Sequence, residues 1–301
     1  MALAFSIPGK TFLAGEYLAL QEGPTLVFLS QPCFEVGVKK GTGQLEGIHP
    51  NSPAGLFIKK HSEIFSKFDV SFRDPYQGRG GFGASTAQFL GVYAMSLVQE
   101  HSHQDMEKLF DIKHLLESYY EVAWTGEGQR PSGADLVGQL KGSLTFFEKR
   151  RSAVSVTGWP FSNLDFYIVH TGNKVPTHEH LKTLKEFDAS ALEKAFARIR
   201  GSFEQHLEEE FVNGIQDYAK ALADLQFTCE PTLKLLAELK NCKGVLAAKG
   251  CGALGADVLL VVTSKGQKSS LEEFSQAKGL TITASQKDLA PGLQFQVREN
   301  L

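Results

Sequence analysis

Apolar positions along the chain follow two different periods. Alternating or continuous apolar runs predict strands at residues 2–7, 25–29, 33–38, 70–73, 143–147, 164–170, 258–262 and 280–283. Helical spacing predicts helices at 56–68, 85–99, 106–124, 232–239 and 271–278. In 85–99 the apolar stripe is Phe89, Leu90, Tyr93, Leu97 and Val98. Residues 181–225 form a long helical region, expected to break near Gly201 and Gly214. Pro8-Gly9 is expected to end the first strand as a turn, and 41–53 to form a loop or edge hairpin. The whole predicts a mixed α/β fold with a boundary near 150–163, dividing the chain into domains 1–160 and 161–301.

Composition narrows the function classes. The 301 residues are 42% hydrophobic and 22% charged, enough apolar material for a sizeable core. The formal net charge is −3 and no Lys/Arg block occurs, which disfavours nucleic acid and anionic membranes as partners. The first ten residues lack a basic start and a long apolar core, so they do not resemble a signal peptide. No run approaches the roughly 18 apolar residues of a membrane span. Cys33, Cys229, Cys242 and Cys251 make no CxxC pair and suit reduced thiols. A cytoplasmic location is expected.

Four segments carry candidate chemistry. The first is Gly78-Arg79-Gly80-Gly81-Phe82-Gly83-Ala84-Ser85-Thr86, where glycines free the backbone to aim N–H groups at an anion. Ser85 and Thr86 stand where a helix begins, and a helix N-terminus adds free donors and a favourable dipole. The second is Pro8-Gly9-Lys10, with Gly15-Glu16-Tyr17 behind it. A lysine there can neutralise charge on a transferring phosphoryl group. The third is Pro131-Ser132-Gly133-Ala134-Asp135, whose carboxylate can orient or deprotonate a hydroxyl. The fourth is residues 171–177, a strand–loop junction able to cup a substrate. Taken singly, each has a plain structural explanation: a capped helix, a solvated lysine, a turn aspartate and a loop. A second glycine stretch, Gly250-Cys251-Gly252-Ala253-Leu254-Gly255, leads into a strand, the wrong context for a dinucleotide site. The His101/His103 and His178/His180 pairs have a spacing that diverges on a helix, which argues against a metal pair.

The order of these motifs resembles the GHMP small-molecule kinases. PGKxxLxGEY, GxGxxGxST, PSGxD and the late glycine loop fall in that family's order, from Pro8 to about Val262. The resemblance implies an α/β (α+β) two-domain fold, with a ribosomal-S5-like N-terminal domain that binds ATP and a ferredoxin-like C-terminal domain. It implies ATP and Mg²⁺ as cofactors. Gly80, Gly81, Gly83, Ala84, Ser85 and Thr86 would cradle the triphosphate, with the Ser85 hydroxyl on Mg²⁺. Glu121 and Glu127 compete for a second role on the metal. Asp135 matches the catalytic aspartate and Lys10 the lysine that stabilises transition-state charge. Glu16, Tyr17, Ser132, Lys174 and Gly252 would line the acceptor site.

The resemblance is closest to the mevalonate kinases, with phosphomevalonate kinases next. The chain departs from the family in GFGAST at 81–86, in GCGALG at 250–255 and in Tyr17, where mevalonate kinases carry histidine. A phosphorylated acceptor would want extra cations, and Arg79, Lys174 and Lys182 are the candidates. From other classes, a non-catalytic ATP-binding sensor and a dinucleotide oxidoreductase are the rivals. The expected partner is a small molecule, with a homodimer as the assembly to consider.

Overall fold

The two periods sort into two sheets and, among the described residues, nine helices. The computed structural model describes residues 2–101, 110–172, 184 and 186–298. In chain order the elements begin with strands β1 (Ala2–Ala14), β2 (Pro24–Lys40) and β3 (Leu45–Glu46). Helices α1 (Pro53–Lys60) and α2 (Ser62–Phe65), strand β4 (Phe68–Arg73) and helices α3 (Ala84–His101), α4 (Ile112–Ala123) and α5 (Ala134–Lys141) follow. Next come strands β5 (Leu144–Glu148), β6 (Ala153–Thr157) and β7 (Leu164–His170), then helices α6 (Ser190–Gln205), α7 (Glu208–Asp224) and α8 (Glu230–Leu239). Strands β8 (Val245–Cys251) and β9 (Val258–Ser264), helix α9 (Lys268–Lys278) and strands β10 (Thr281–Ser285) and β11 (Gln294–Arg298) complete the order. The fold is mixed α/β, as the patterning predicts. Among the described residues, no helix is long and apolar enough to cross a membrane.

The elements gather into two compact units, each drawn from separate stretches of chain. The first comprises Met1–Lys10, Leu29–Ser143 and Ala290–Leu301; the second comprises Thr11–Phe28 and Leu144–Leu289.

In the first unit the strand order is β11-β1-β2-β4-β3. Helix packing is aromatic: Phe57 of α1 meets Phe89 of α3 at 5.4 Å, and Phe89 meets Tyr119 of α4 at 5.0 Å. The helix expected at 56–68 is broken at His61, whose ψ of 41° is not helical. Pro8-Gly9 is not a turn, because β1 runs through it to Ala14. The strand tolerates proline there because β11 pairs only with Ala2 to Ser6, so Pro8 lies beyond that ladder and needs no donor to it. The strands expected at 25–29 and 33–38 are likewise one strand, β2. Its ends pair with different neighbours: 24–28 with β5 and 35–40 with β4.

The second unit holds a four-stranded antiparallel sheet, order β10-β7-β9-β8. One face buries Tyr167, Val169, Leu259 and Val261 with Leu239 and Leu271. On the other, Phe166 meets Trp159 at 4.8 Å and Phe28 at 4.9 Å. Both faces are covered, which is why Val258 to Val262 is a continuous apolar run, every residue of it buried. The long helical region breaks at His206 (φ 56°) and Leu207, not at Gly201 or Gly214. Gly214 is a packing residue: a Cβ there would sit 2.7 Å from Ile199 Cγ1, so glycine lets α7 lie close to α6. The predicted helical residues 106–109, 181–183 and 185 lie outside the described residues.

Candidate functional site

In the first unit the central glycine loop, Lys10 and Asp135 come together. Gly78, Gly81 and Gly83 have φ of 78°, 90° and 82°, a backbone that L side chains resist, and α3 starts at Ala84. The first N–H groups of α3 have no partner within the helix. The Ser85 side chain is exposed, whereas Thr86 is buried and its hydroxyl donates to the Gly83 carbonyl at 3.0 Å. Thr86 therefore closes the helix start from inside, and Ser85 is the hydroxyl on offer.

Lys10 crosses directly over this turn. Its N–H donates to the Phe82 carbonyl at 3.0 Å. Its stem would stand 2.7 Å from a Cβ on Gly83, so only glycine fits beneath it. Its ammonium faces Asp135 Oδ2 at 3.9 Å, with the side chains 13% and 24% exposed. That is an ion-pair distance too long for a direct hydrogen bond, with room for an oxygen atom in contact with both.

The PSGxD segment holds Asp135 by turn chemistry. Gly133 has φ 76° and caps α5, which puts Asp135 in its first turn, where the helix dipole favours a carboxylate. Ser132 serves the turn: its hydroxyl accepts the Ala134 N–H at 3.3 Å, and its carbonyl accepts the Tyr120 hydroxyl at 3.0 Å. Burial, reinforced by the Asp135 charge, pushes the Tyr119 phenol well above its ordinary value, so it stays a neutral hydroxyl.

Sequence reasoning missed Gln139. It is fully buried on α5, and its amide donates to the carbonyls of Pro8 (3.0 Å) and Gly83 (3.1 Å). One side chain thus ties β1, the glycine loop and the Asp135 helix together. Its position one turn after Asp135 was the available signal. The two candidate metal glutamates make contacts of their own. Glu121 is exposed and ion-pairs with Lys60, beside a polar depression of about 250 Å³ also lined by His61, Tyr93 and His114. The Glu127 side chain is exposed, and its carbonyl accepts Trp124 Nε1 at 3.0 Å. Among the described residues, no group of three His, Cys, Asp or Glu side chains is arranged to hold a metal. The donor set that remains, backbone N–H groups with one hydroxyl and one ammonium, fits a phosphate chain.

The second unit holds the other candidates. Glu16 Oε1 accepts from Lys249 Nζ at 2.6 Å, a pair whose side chains are 4% and 0% exposed. Burial opposes the Lys249 charge, but Cys251 and Glu16 outweigh it and hold the ammonium above its ordinary range. Burial pushes the Cys251 thiol up. The Tyr17 hydroxyl accepts the Leu254 N–H at 3.0 Å. Gly252 opens the turn after β8 with φ 80°. Lys249 was missed by the sequence reading, although one charge within VLAAKGC was a visible anomaly. Lys174 and Lys182 lie outside the described residues.

No family model and no curated protein matches the sequence. Solved structures do match. A Lin0012 protein from Listeria innocua superposes with a TM-score of 0.77 at 15% identity, covering 100% of each chain. The phosphomevalonate kinase of Streptococcus pneumoniae gives 0.75 at 15%, covering 95% of this chain and 99% of its own. It has also been solved with phosphomevalonate and AMPPNP. The mevalonate kinase of Methanococcus jannaschii gives 0.68 at 13%, covering 95% and 97%. A homoserine kinase and a galactokinase are further matches. The chain therefore has the fold of the GHMP small-molecule kinases.

Proposed function

We propose that this protein is a small-molecule kinase that transfers the γ-phosphoryl group of ATP to a hydroxyl oxygen, with mevalonate as the acceptor. The observation that carries the reading is the placement of Lys10 and Asp135, 3.9 Å apart, beside Gly83 and the start of α3. ATP would supply the phosphoryl group, and Mg²⁺ would shield its charge. The N–H groups of the 80–84 loop and of the first turn of α3 bind the phosphate oxygens. The Ser85 hydroxyl is the side chain offered to Mg²⁺. Asp135 accepts the proton of the acceptor hydroxyl and aims its oxygen. Lys10 Nζ faces the same oxygen and offsets the charge that develops on it. Phosphoryl transfer needs little more than such positioning and electrostatics. Gln139 holds the two backbone segments of this arrangement in register.

Tyr17, where mevalonate kinases carry histidine, favours a second reading in which the acceptor is phosphomevalonate. An ADP-release assay with Mg²⁺–ATP and separate mevalonate, phosphomevalonate, galactose and homoserine tests both. Turnover on mevalonate alone upholds the first reading, and turnover on phosphomevalonate alone the second. ATP binding without turnover on any of the four sinks both.

A further inference from the structure

Strand β8 is the outer strand of the second unit's sheet, and a helix covers each of its faces. Helix α8 lies on the face that buries Tyr167 and Val169, with Leu235 and Leu236 packed against that core. Helix α7 lies on the other face, where its Phe211 meets Trp159 at 5.2 Å and Trp159 meets Phe166 at 4.8 Å. Both helices pack on β8. Between them, along Val245 to Ala248, runs a trough of about 560 Å³. Its walls are small and apolar. Ala219 and Ala223 share one face of α7, and Leu233 and Leu236 share one face of α8. On the floor, Leu246 is 36% exposed, so this apolar surface is open to a ligand. The charged side chains on the rim are Lys220 of α7 and Lys240 at the end of α8. Among the described residues, no carboxylate lines the trough. Lys220 pairs with Asp224, whereas Lys240 makes no ion pair among the described residues.

A trough beside an outer strand also suits an incoming strand, which needs a regular row of free backbone groups. Two features oppose that here. Gln216 Nε2 already donates to the Leu246 carbonyl at 2.7 Å, and the register of β8 shifts between Val245 and Ala247. The volume instead falls within the ~300–1,000 Å³ of small-molecule pockets, which are mostly apolar with a few polar groups that fix orientation. We propose that this trough binds one free aliphatic chain with an anionic head, a long-chain carboxylate of the fatty-acid class. The tail lies along Ala219, Ala223, Leu233 and Leu236. Lys240 Nζ holds the carboxylate, and Lys220 on the facing wall adds a second positive charge. One ammonium without an ion pair matches a single negative charge, hence a carboxylate instead of a diphosphate. Nothing in this site depends on the kinase reading.

Dodecanoate below its micelle concentration is the probe, read by isothermal titration and methyl NMR on the full chain. The expected result is saturable one-to-one binding, with shifts at the methyls of Ala219, Ala223, Leu236 and Leu246. Dodecyltrimethylammonium has the same tail and the opposite charge, and should bind about tenfold more weakly or worse. Butyrate, with the head but almost no tail, should not bind measurably. Lys240→Gln changes an exposed side chain; it should weaken dodecanoate about fivefold with Tm unchanged. Ala223→Leu fills the trough and should abolish binding. Absence of saturable binding, or shifts confined to other parts of the chain, overturns the site. Equal affinity for the anionic and cationic chains, or for wild type and Lys240→Gln, overturns the anionic head. Binding seen only with micelles or anionic vesicles overturns the single free chain. A concentration-dependent dimer in sedimentation, with shifts at the same methyls, makes the trough an interface between copies and overturns the ligand.

Discussion

At the scale of single residues, the kinase reading predicts that substitutions at Lys10 and Asp135 separate binding from chemistry. Asp135→Asn keeps the side-chain shape but accepts a proton poorly. Its kcat should fall about a hundredfold or more, with AMPPNP affinity within about twofold of wild type. Isothermal titration and steady-state kinetics together check this. Lys10→Met keeps the stem that packs on Gly83 and removes only the charge. Its kcat should also fall about a hundredfold, with Tm unchanged. A third residue lies away from the chemistry. The Asp69 carboxylate accepts the N–H groups of Gln44 (3.0 Å) and Thr42 (2.9 Å), which hold it below its ordinary value of 3.8. A depressed carboxyl stabilises the fold above its unfolded pKa, and that contribution is lost as pH falls through the lower folded value. Asp69→Asn should therefore lower stability at neutral pH. In denaturant melts the difference from wild type should shrink from about pH 4 downward.

At the scale of elements, glycines decide how closely helices approach their neighbours. Gly214 sits inside α7, where alanine would add up to about 1 kcal/mol of helix propensity. Its Cβ, however, would meet Ile199 Cγ1 at 2.7 Å and Ile199 N at 3.1 Å, and overpacking costs about 1–3 kcal/mol. Gly214→Ala should thus be destabilising on balance, measured by urea midpoint. Gly133 combines a left-handed φ with a Cβ position 2.2 Å from Leu116 Cδ2, so Gly133→Ala should cost more and displace Asp135 with it. The sequence also misplaced elements for a definable reason. Pro8-Gly9 punctuates locally, but a strand ends where its partners end, and β1 has a second neighbour in β2. The helical stripe of 181–225 carries no mark at His206, which ends α6 in a left-handed turn.

At the scale of the whole molecule, a nucleotide site should couple to global stability. A ligand bound only by the folded state stabilises it by about 2.7 kcal/mol at a hundredfold excess over its Kd. Mg²⁺–AMPPNP should therefore raise Tm by several degrees, and NAD should not. The same scan on the Gly133→Ala variant would show whether the anion site survives displacement of α5.

The sequence by itself determined the chemistry on offer and the type of most elements. Glycines followed by Ser85-Thr86, a lysine after Pro-Gly and an aspartate after Pro-Ser-Gly are local patterns, and local patterns survive without knowledge of the fold. Which residues meet was decided only by the tertiary structure. Gln139 reaches Pro8 across 131 positions, and Lys249 reaches Glu16 across 233. The 11–28 stretch packs with residues far downstream, while Lys10 beside it belongs with the glycine loop. Such pairings leave no period in the sequence. They are fixed by burial, because a charge or amide taken out of water must find its partner wherever the chain brings one within reach.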